Sequence, residues 1–196
     1  MSKGTISLIV VGVVVVLLIG GSLTTYNGLV QKDEAVATAW SNVQSQYQRR
    51  ADLIPNLVNT VKGYAQHESA TLEQVVAARA KATQLTVSAD ELSPEKMKQL
   101  QVAQGELSQA LGRLLMITEN YPDLKANENF LDLQAQLEGT ENRINESRRL
   151  YNESVQTYNV GIRRFPANVV AGMFGFDKRT PFEAEAGAEK APKVEF

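Results

Sequence analysis

Cysteine is absent from the 196 residues, which excludes disulfides, thiolate metal sites and cysteine nucleophiles at once. Histidine occurs once, as His67. One chain therefore cannot build a multi-histidine metal site or a mechanism that needs two imidazoles. Excess charge is lacking too: 20 Lys and Arg stand against 22 Asp and Glu, for a formal −2. No strong positive field points to nucleic acid. A glycine-rich phosphate loop, a nucleophile elbow and a basic-aromatic strand pattern are all missing. No catalytic residue, cofactor or metal is expected, and the chain reads as a non-enzymatic protein.

Charge is also missing locally. From Gly4 to Gln31 there is no Asp, Glu, Lys or Arg. The apolar part of this run, counted from Gly4 or Thr5 to Thr24, reaches the about 20 residues that cross a hydrocarbon core. Its many valines are poor helix formers in water, but in lipid only a helix satisfies the backbone of a single span. A cleaved signal peptide is the alternative, with Lys3 as the basic start and Gly20 to Ser22 as small residues for cleavage. The length of the run favours an anchor. Lys3 before it and Lys32 after it tilt the N-terminus inward and the body outward.

Beyond the anchor, apolar residues recur at helical spacing in four stretches. The first, about Leu23 to Arg50, carries Leu29, Val36, Trp40, Val43 and Tyr47. The second, about Asp52 to Leu85, carries Ile54, Leu57, Val61, Leu72 and Val75. Pro55 lies between the two. A turn is favoured there, with Asp52 as N-cap, because it leaves four stretches of similar length. A single kinked helix is the alternative, since the apolar phase runs through Pro55 without a slip. A loop at Thr86–Ser93 precedes Ser93, Pro94 and Glu95, which read as N-cap, first-turn proline and first-turn acid. The third stretch ends at Tyr121 and Pro122. The fourth, about Asn127 to Arg164, places Phe130, Leu137, Ile144, Tyr151 and Tyr158 at seven-residue intervals. That is a heptad seam, as in coiled-coil-like packing.

The expected fold is all-α: a tail and transmembrane helix over 1–24, an antiparallel four-helix bundle over 25–164, and an apolar segment with a disordered tail over 165–196. With alternating directions, the Thr86–Ser93 loop lies beside the membrane. Arg49–Pro55 and Pro122–Asn127 then lie at the far tip. The segment from Phe165 to Phe176 arrives at the bilayer, flanked by Arg163, Arg164, Lys178 and Arg179. Arg163, Arg164, Phe165, Met173, Phe174 and Phe176 are accordingly candidates for contact with membrane or partner, the basic ones suiting anionic headgroups.

Polar residues on the seams need partners. Glu68, Gln104, Glu141 and Arg148 are candidates for a buried polar layer, which would fix register or oligomer state rather than catalyse. His67 beside Glu68 invites a metal or acid–base reading, but Thr71 stands where a zinc-protease motif needs its second histidine. A surface histidine and a carboxylate paired to an arginine is the simpler account.

Laid out this way, the chain resembles the LemA family of bacterial membrane proteins. The resemblance rests on Tyr26, Asn27, Leu29 and Val30; Ala39, Trp40 and Ser41; Arg49, Arg50 and Asp52–Val58. It continues through Val61–Ala65, His67, Glu68 and Ala77–Arg79, then Tyr121, Pro122, Ala126, Asn127 and Phe130. Glu141, Ile144, Arg148, Arg149, Tyr151, Asn152, Tyr158, Asn159, Phe165, Pro166, Gly175 and Phe176 complete it. It implies a short N-terminal tail, one transmembrane helix and a four-helix bundle. It also implies an N-terminus outside the cell, opposite to the charge balance. It brings no catalytic residues.

Three functions compete. The first is a membrane-anchored scaffold or accessory protein of the bacterial plasma membrane, with the lipid bilayer and membrane or envelope proteins as partners. The second is a homo-oligomer that self-assembles to remodel membranes. The third is a metal-binding protein or enzyme centred on His67, Glu68 and Glu141.

Overall fold

The computed structural model describes residues 3–85 and 87–183. Every regular element among them is helical. Helix α1 spans Lys3–Tyr64, α2 Ser69–Gln84, α3 Pro94–Thr118, α4 Pro122–Lys125, α5 Glu128–Arg163 and α6 Ala167–Phe174. Short 3₁₀ turns at Gln66–Glu68 and Ala89–Glu91 flank α2.

Helix α1 corrects the expected turn at Pro55: it continues through the proline for 62 residues. Proline lacks an N–H, so the carbonyl four residues earlier loses its intrahelical donor. That carbonyl belongs to Ala51, and Arg79 Nε of α2 donates to it at 2.7 Å. The proline is thus accommodated by a side chain from another helix, and Asp52 is mid-helix rather than a cap. The chain turns at Ala65–Glu68 instead, where Ala65 N–H donates to Val61 O at 2.8 Å and Glu68 N–H to Ala65 O at 3.1 Å. Arg49–Pro55 is therefore not a tip.

The N-terminal part of α1 is the one stretch among the described residues long and apolar enough to cross a membrane. Its large apolar side chains from Leu8 to Leu23 are all exposed, Val15 least so at 46%. The hydroxyls of Ser22, Thr24 and Thr25 donate to the carbonyls of Leu18, Gly20 and Gly21. The polar groups at the end of the run are thereby satisfied within the helix, as an apolar surrounding demands.

Ser93 and the α5 seam behave as the spacing predicts, and Asn127 adds a cap that the spacing did not single out. Ser93 Oγ accepts from Lys96 N–H at 3.2 Å, and Asn127 Oδ1 from Phe130 N–H at 3.0 Å. Phe130, Leu137, Ile144, Tyr151 and Tyr158 are buried, with Val155 and Ile162. Leu133 and Thr140 are buried as well, because a 3.6-residue helix drifts against a strict heptad.

The described chain forms two compact units. One holds the residues up to Gln48, Ser88–Asp90 and Asn142–Arg179; the other holds Arg49–Val87, Glu91–Glu141 and the residues from Thr180. In the first, the buried side chains include Leu29, Val36, Trp40 and Val43 of α1 and Ile144, Tyr151, Val155 and Tyr158 of α5. The Trp40 and Tyr151 rings pack with centroids 5.4 Å apart. In the second, Ile54, Leu57 and Val61 of α1 share a core with Leu72 and Val75 of α2, Leu107 and Leu114 of α3, and Phe130 and Leu137 of α5.

Disorder is expected from Asp177 onward. The structure instead places 177–183, with Phe182 buried. The rest of that expectation falls on 184–196, which lie outside the described residues.

Candidate membrane-proximal site and buried polar cluster

The segment after α5 is fastened back onto the base of α1. Helix α6 ends at Gly175, whose φ of 74° only glycine adopts without strain. That turn lets Phe176 N–H return to Ala171 O at 3.0 Å. It also sets both Phe174 and Phe176 against Tyr26, with centroids 4.9 and 5.6 Å away. Tyr26 lies two residues beyond Thr24, where the apolar run ends.

Arg179 completes the fastening. Its Nε and Nη2 donate to Asp33 Oδ1 and Oδ2, both at 2.9 Å, and Nη2 also reaches Asp90 Oδ1 at 2.7 Å. Asn159 clamps the Arg179 backbone, accepting its N–H at 2.9 Å and donating to its carbonyl at 2.8 Å. The guanidinium also lies 5.9 Å from the Tyr158 ring centroid. Burial works to lower the Arg179 pKa, but the bonds to Asp33 and Asp90 outweigh it and hold it above the usual value. Arg179 is therefore committed to internal carboxylates, which corrects its expected place among headgroup-facing cations. Asp33, the anchor for this arginine, carried no signal in the sequence beyond being a charged helix residue.

The other candidate contacts separate. Phe165, Met173 and Phe174 are exposed, at 83%, 75% and 60%, and Arg163, Arg164 and Lys178 are exposed with them. Phe176 is half-buried against Tyr26. Val169, 53% exposed, joins Phe165 and Met173 at four-residue spacing, while Val170 and Ala171 face inward.

The expected polar layer also separates. Gln104 and Glu141 do meet, through Arg50. Arg50 Nη1 donates to Glu141 Oε2 at 2.7 Å and to Ser108 Oγ at 2.9 Å, and Nη2 donates to Gln104 Oε1. Arg50 is buried, with Glu141 at the edge. Glu68 lies elsewhere, accepting from Tyr121 Oη at 3.0 Å, a bond that raises the Tyr121 pKa. Arg148 donates to Tyr47 Oη at 2.9 Å and lies over its ring. The sequence gives no sign of Arg50, because a turn at Pro55 puts it at a tip; a continuous α1 turns it inward. His67 is exposed in the turn before α2. Among the described residues, no three His, Cys, Asp or Glu lie close enough to hold a metal ion.

The model of the LemA family matches residues 39–196. The chain belongs to the LemA family. The match covers the helical body and begins after the apolar run. Relatives of this LemA-family chain include "Magnetosome protein MamQ 2" of Paramagnetospirillum magneticum, 29% identical over 92% of this chain and 72% of the relative. "Magnetosome protein MamQ" of Magnetospirillum gryphiswaldense is 29% identical over 88% and 69%. "Protein LemA" of Metamycoplasma hominis is 28% identical over 74% and 63%. None of these names denotes an enzyme. Together with the exposed apolar helix, the family membership supports a bacterial membrane location.

Proposed function

We propose that this LemA-family chain is a non-enzymatic, single-pass accessory or scaffold protein of the plasma membrane. In this reading the body is an antiparallel four-helix bundle outside the bilayer, and α6 lies on the bilayer surface. One observation carries the reading: the apolar stripe of Phe165, Val169 and Met173 is exposed on a segment packed against Tyr26, next to the end of the exposed apolar run. A short helix with one apolar face and flanking Arg163, Arg164 and Lys178 suits the headgroup boundary. Contacts at both ends of the second unit support opposed directions for α1 and α5: Asn127 Nδ2 donates to Tyr64 Oη at 3.0 Å, while Arg50 meets Glu141.

The absence of cysteine makes the test clean. Full-length protein carrying Met173→Cys is labelled with an environment-sensitive fluorophore and reconstituted in vesicles holding headgroup-level spin-labelled lipid. Quenching well above that of a Glu138→Cys control is expected, and equal quenching would sink the reading. The same Glu138→Cys variant, exposed to an impermeant thiol reagent on intact cells, is expected to react if the body is outside.

A further inference from the structure

An open groove of about 550 Å³ lies beside the base of α1. One wall runs from Thr24 to Lys32 on α1, the other from Gln156 to Arg164 on α5. It therefore begins where the apolar run ends and extends about two turns beyond. Two glycines, Gly28 and Gly161, keep its walls low. The Lys32 stem lies over Gly161, where an added Cβ would come 3.1 Å from Lys32 Cδ. The stem is thus carried across α5, with Arg164 one turn further along the same face.

The lining has one sign of charge. Lys32 and Arg164 both contribute, and no Asp or Glu does. Neither cation has an ion-pair partner among the described residues. Nearby Asp33 is already held by Arg179. Gln156 and Thr157 add neutral donors, whereas the Thr24 and Thr25 hydroxyl protons are spent on helix carbonyls. Two cations, two neutral donors and no carboxylate describe a site for a phosphodiester rather than for an ammonium group.

We propose that this groove holds the headgroup of an anionic phospholipid, its phosphate between Lys32 and Arg164 and its acyl chains along the exposed apolar face of α1. The inference rests on the reading that the bilayer surface lies near Thr24. A zwitterionic headgroup would bring a cation into a site that has no acceptor charge for it, so net-negative lipid is preferred. A lipid held this way fixes the rotation of the anchor helix about its axis and so the direction in which α6 faces.

The test uses the full chain in detergent doped with equal phosphatidylglycerol and phosphatidylcholine, with retained lipids counted by native mass spectrometry. Retention biased to phosphatidylglycerol is expected. Lys32→Gln and Arg164→Gln should each lower the ratio roughly five-fold and together about thirty-fold, the effect of one basic residue near an anionic surface taken once and twice. Gly28→Leu keeps both charges and adds a side chain where a Cβ has no neighbour within 4 Å, so it should fill the groove and lower the ratio as well. Loss in the charge variants with none in Gly28→Leu would overturn the groove in favour of diffuse attraction. Release of the lipid by excess inorganic phosphate would overturn it in favour of a soluble anion site. An unbiased ratio together with a quenched Met173→Cys probe would overturn the groove while leaving the surface position of α6 standing. A biased, variant-sensitive ratio beside an unquenched probe would uphold the groove and overturn that position alone.

Discussion

Arg79 donates to the carbonyl of Ala51, the acceptor that Pro55 strands. The bond explains how a proline survives inside a continuous helix, where it costs about 3 kcal/mol relative to alanine. It also ties α2 to α1 through a backbone atom that is free only because of the proline. Ala51 is 2% exposed, so without Arg79 its carbonyl would be buried with an unmet acceptor.

A double-mutant cycle follows from this geometry. Arg79→Leu is expected to cost about 1–3 kcal/mol, the penalty for stranding a buried polar group. In a Pro55→Ala background Ala51 regains its intrahelical donor, so the same substitution should cost markedly less. Urea unfolding of the four proteins in detergent measures the coupling. Equal costs in both backgrounds would show that Arg79 stabilises by packing alone.

The Arg50 cluster separates buried from surface ion pairs. Glu141→Ala deprives a buried guanidinium of its carboxylate and is expected to cost about 3 kcal/mol. Lys81 and Glu106 pair at 2.7 Å with both side chains about half exposed. Glu106→Ala should therefore cost at most about 1 kcal/mol. Thermal unfolding of the two variants side by side decides whether burial sets the difference.

Arg179 discriminates between its two carboxylates. The Asp33 side chain is 27% exposed and takes two donors, whereas that of Asp90 is 80% exposed and takes one. Asp33→Asn should loosen 177–183 and speed proteolysis there, with a stability loss of about 1–3 kcal/mol. Asp90→Asn should change either quantity little, within about 0.5 kcal/mol. Hydrogen exchange of residues 177–183 reads the same difference without a protease.

Tyr151 predicts an alkaline transition. Burial pushes its phenol from the ordinary 10.0 to about 12, partly offset by the Arg179 charge. The folded state thus holds the proton more tightly than the unfolded chain does. This contribution is complete below pH about 10 and is lost as pH rises to about 12. Its size is at most about 3 kcal/mol. Tyr151→Phe should flatten stability across that window, leaving a smaller slope from Tyr158, which burial and then Asp33 also raise. Fluorescence of Trp40, the single tryptophan, follows the titration from a ring in contact.

Composition and periodicity alone determined the helical class, the long apolar N-terminal run, the cap at Ser93 and the buried seam of α5. Each is local: a run of uncharged residues, a side chain reaching its own helix, or a repeat along one face. Tertiary structure decided what depends on residues far apart in the chain. Pro55 reads as a break until Arg79 supplies the missing donor across 28 residues. Glu68, Gln104, Glu141 and Arg148 look alike on their seams, yet which of them meet is set by how a continuous α1 turns Arg50 inward. The charged run after Asp177 reads as solvated tail until Asp33, 146 residues earlier, pairs with Arg179. Sequence periodicity specifies which face a residue occupies; only packing specifies what it faces.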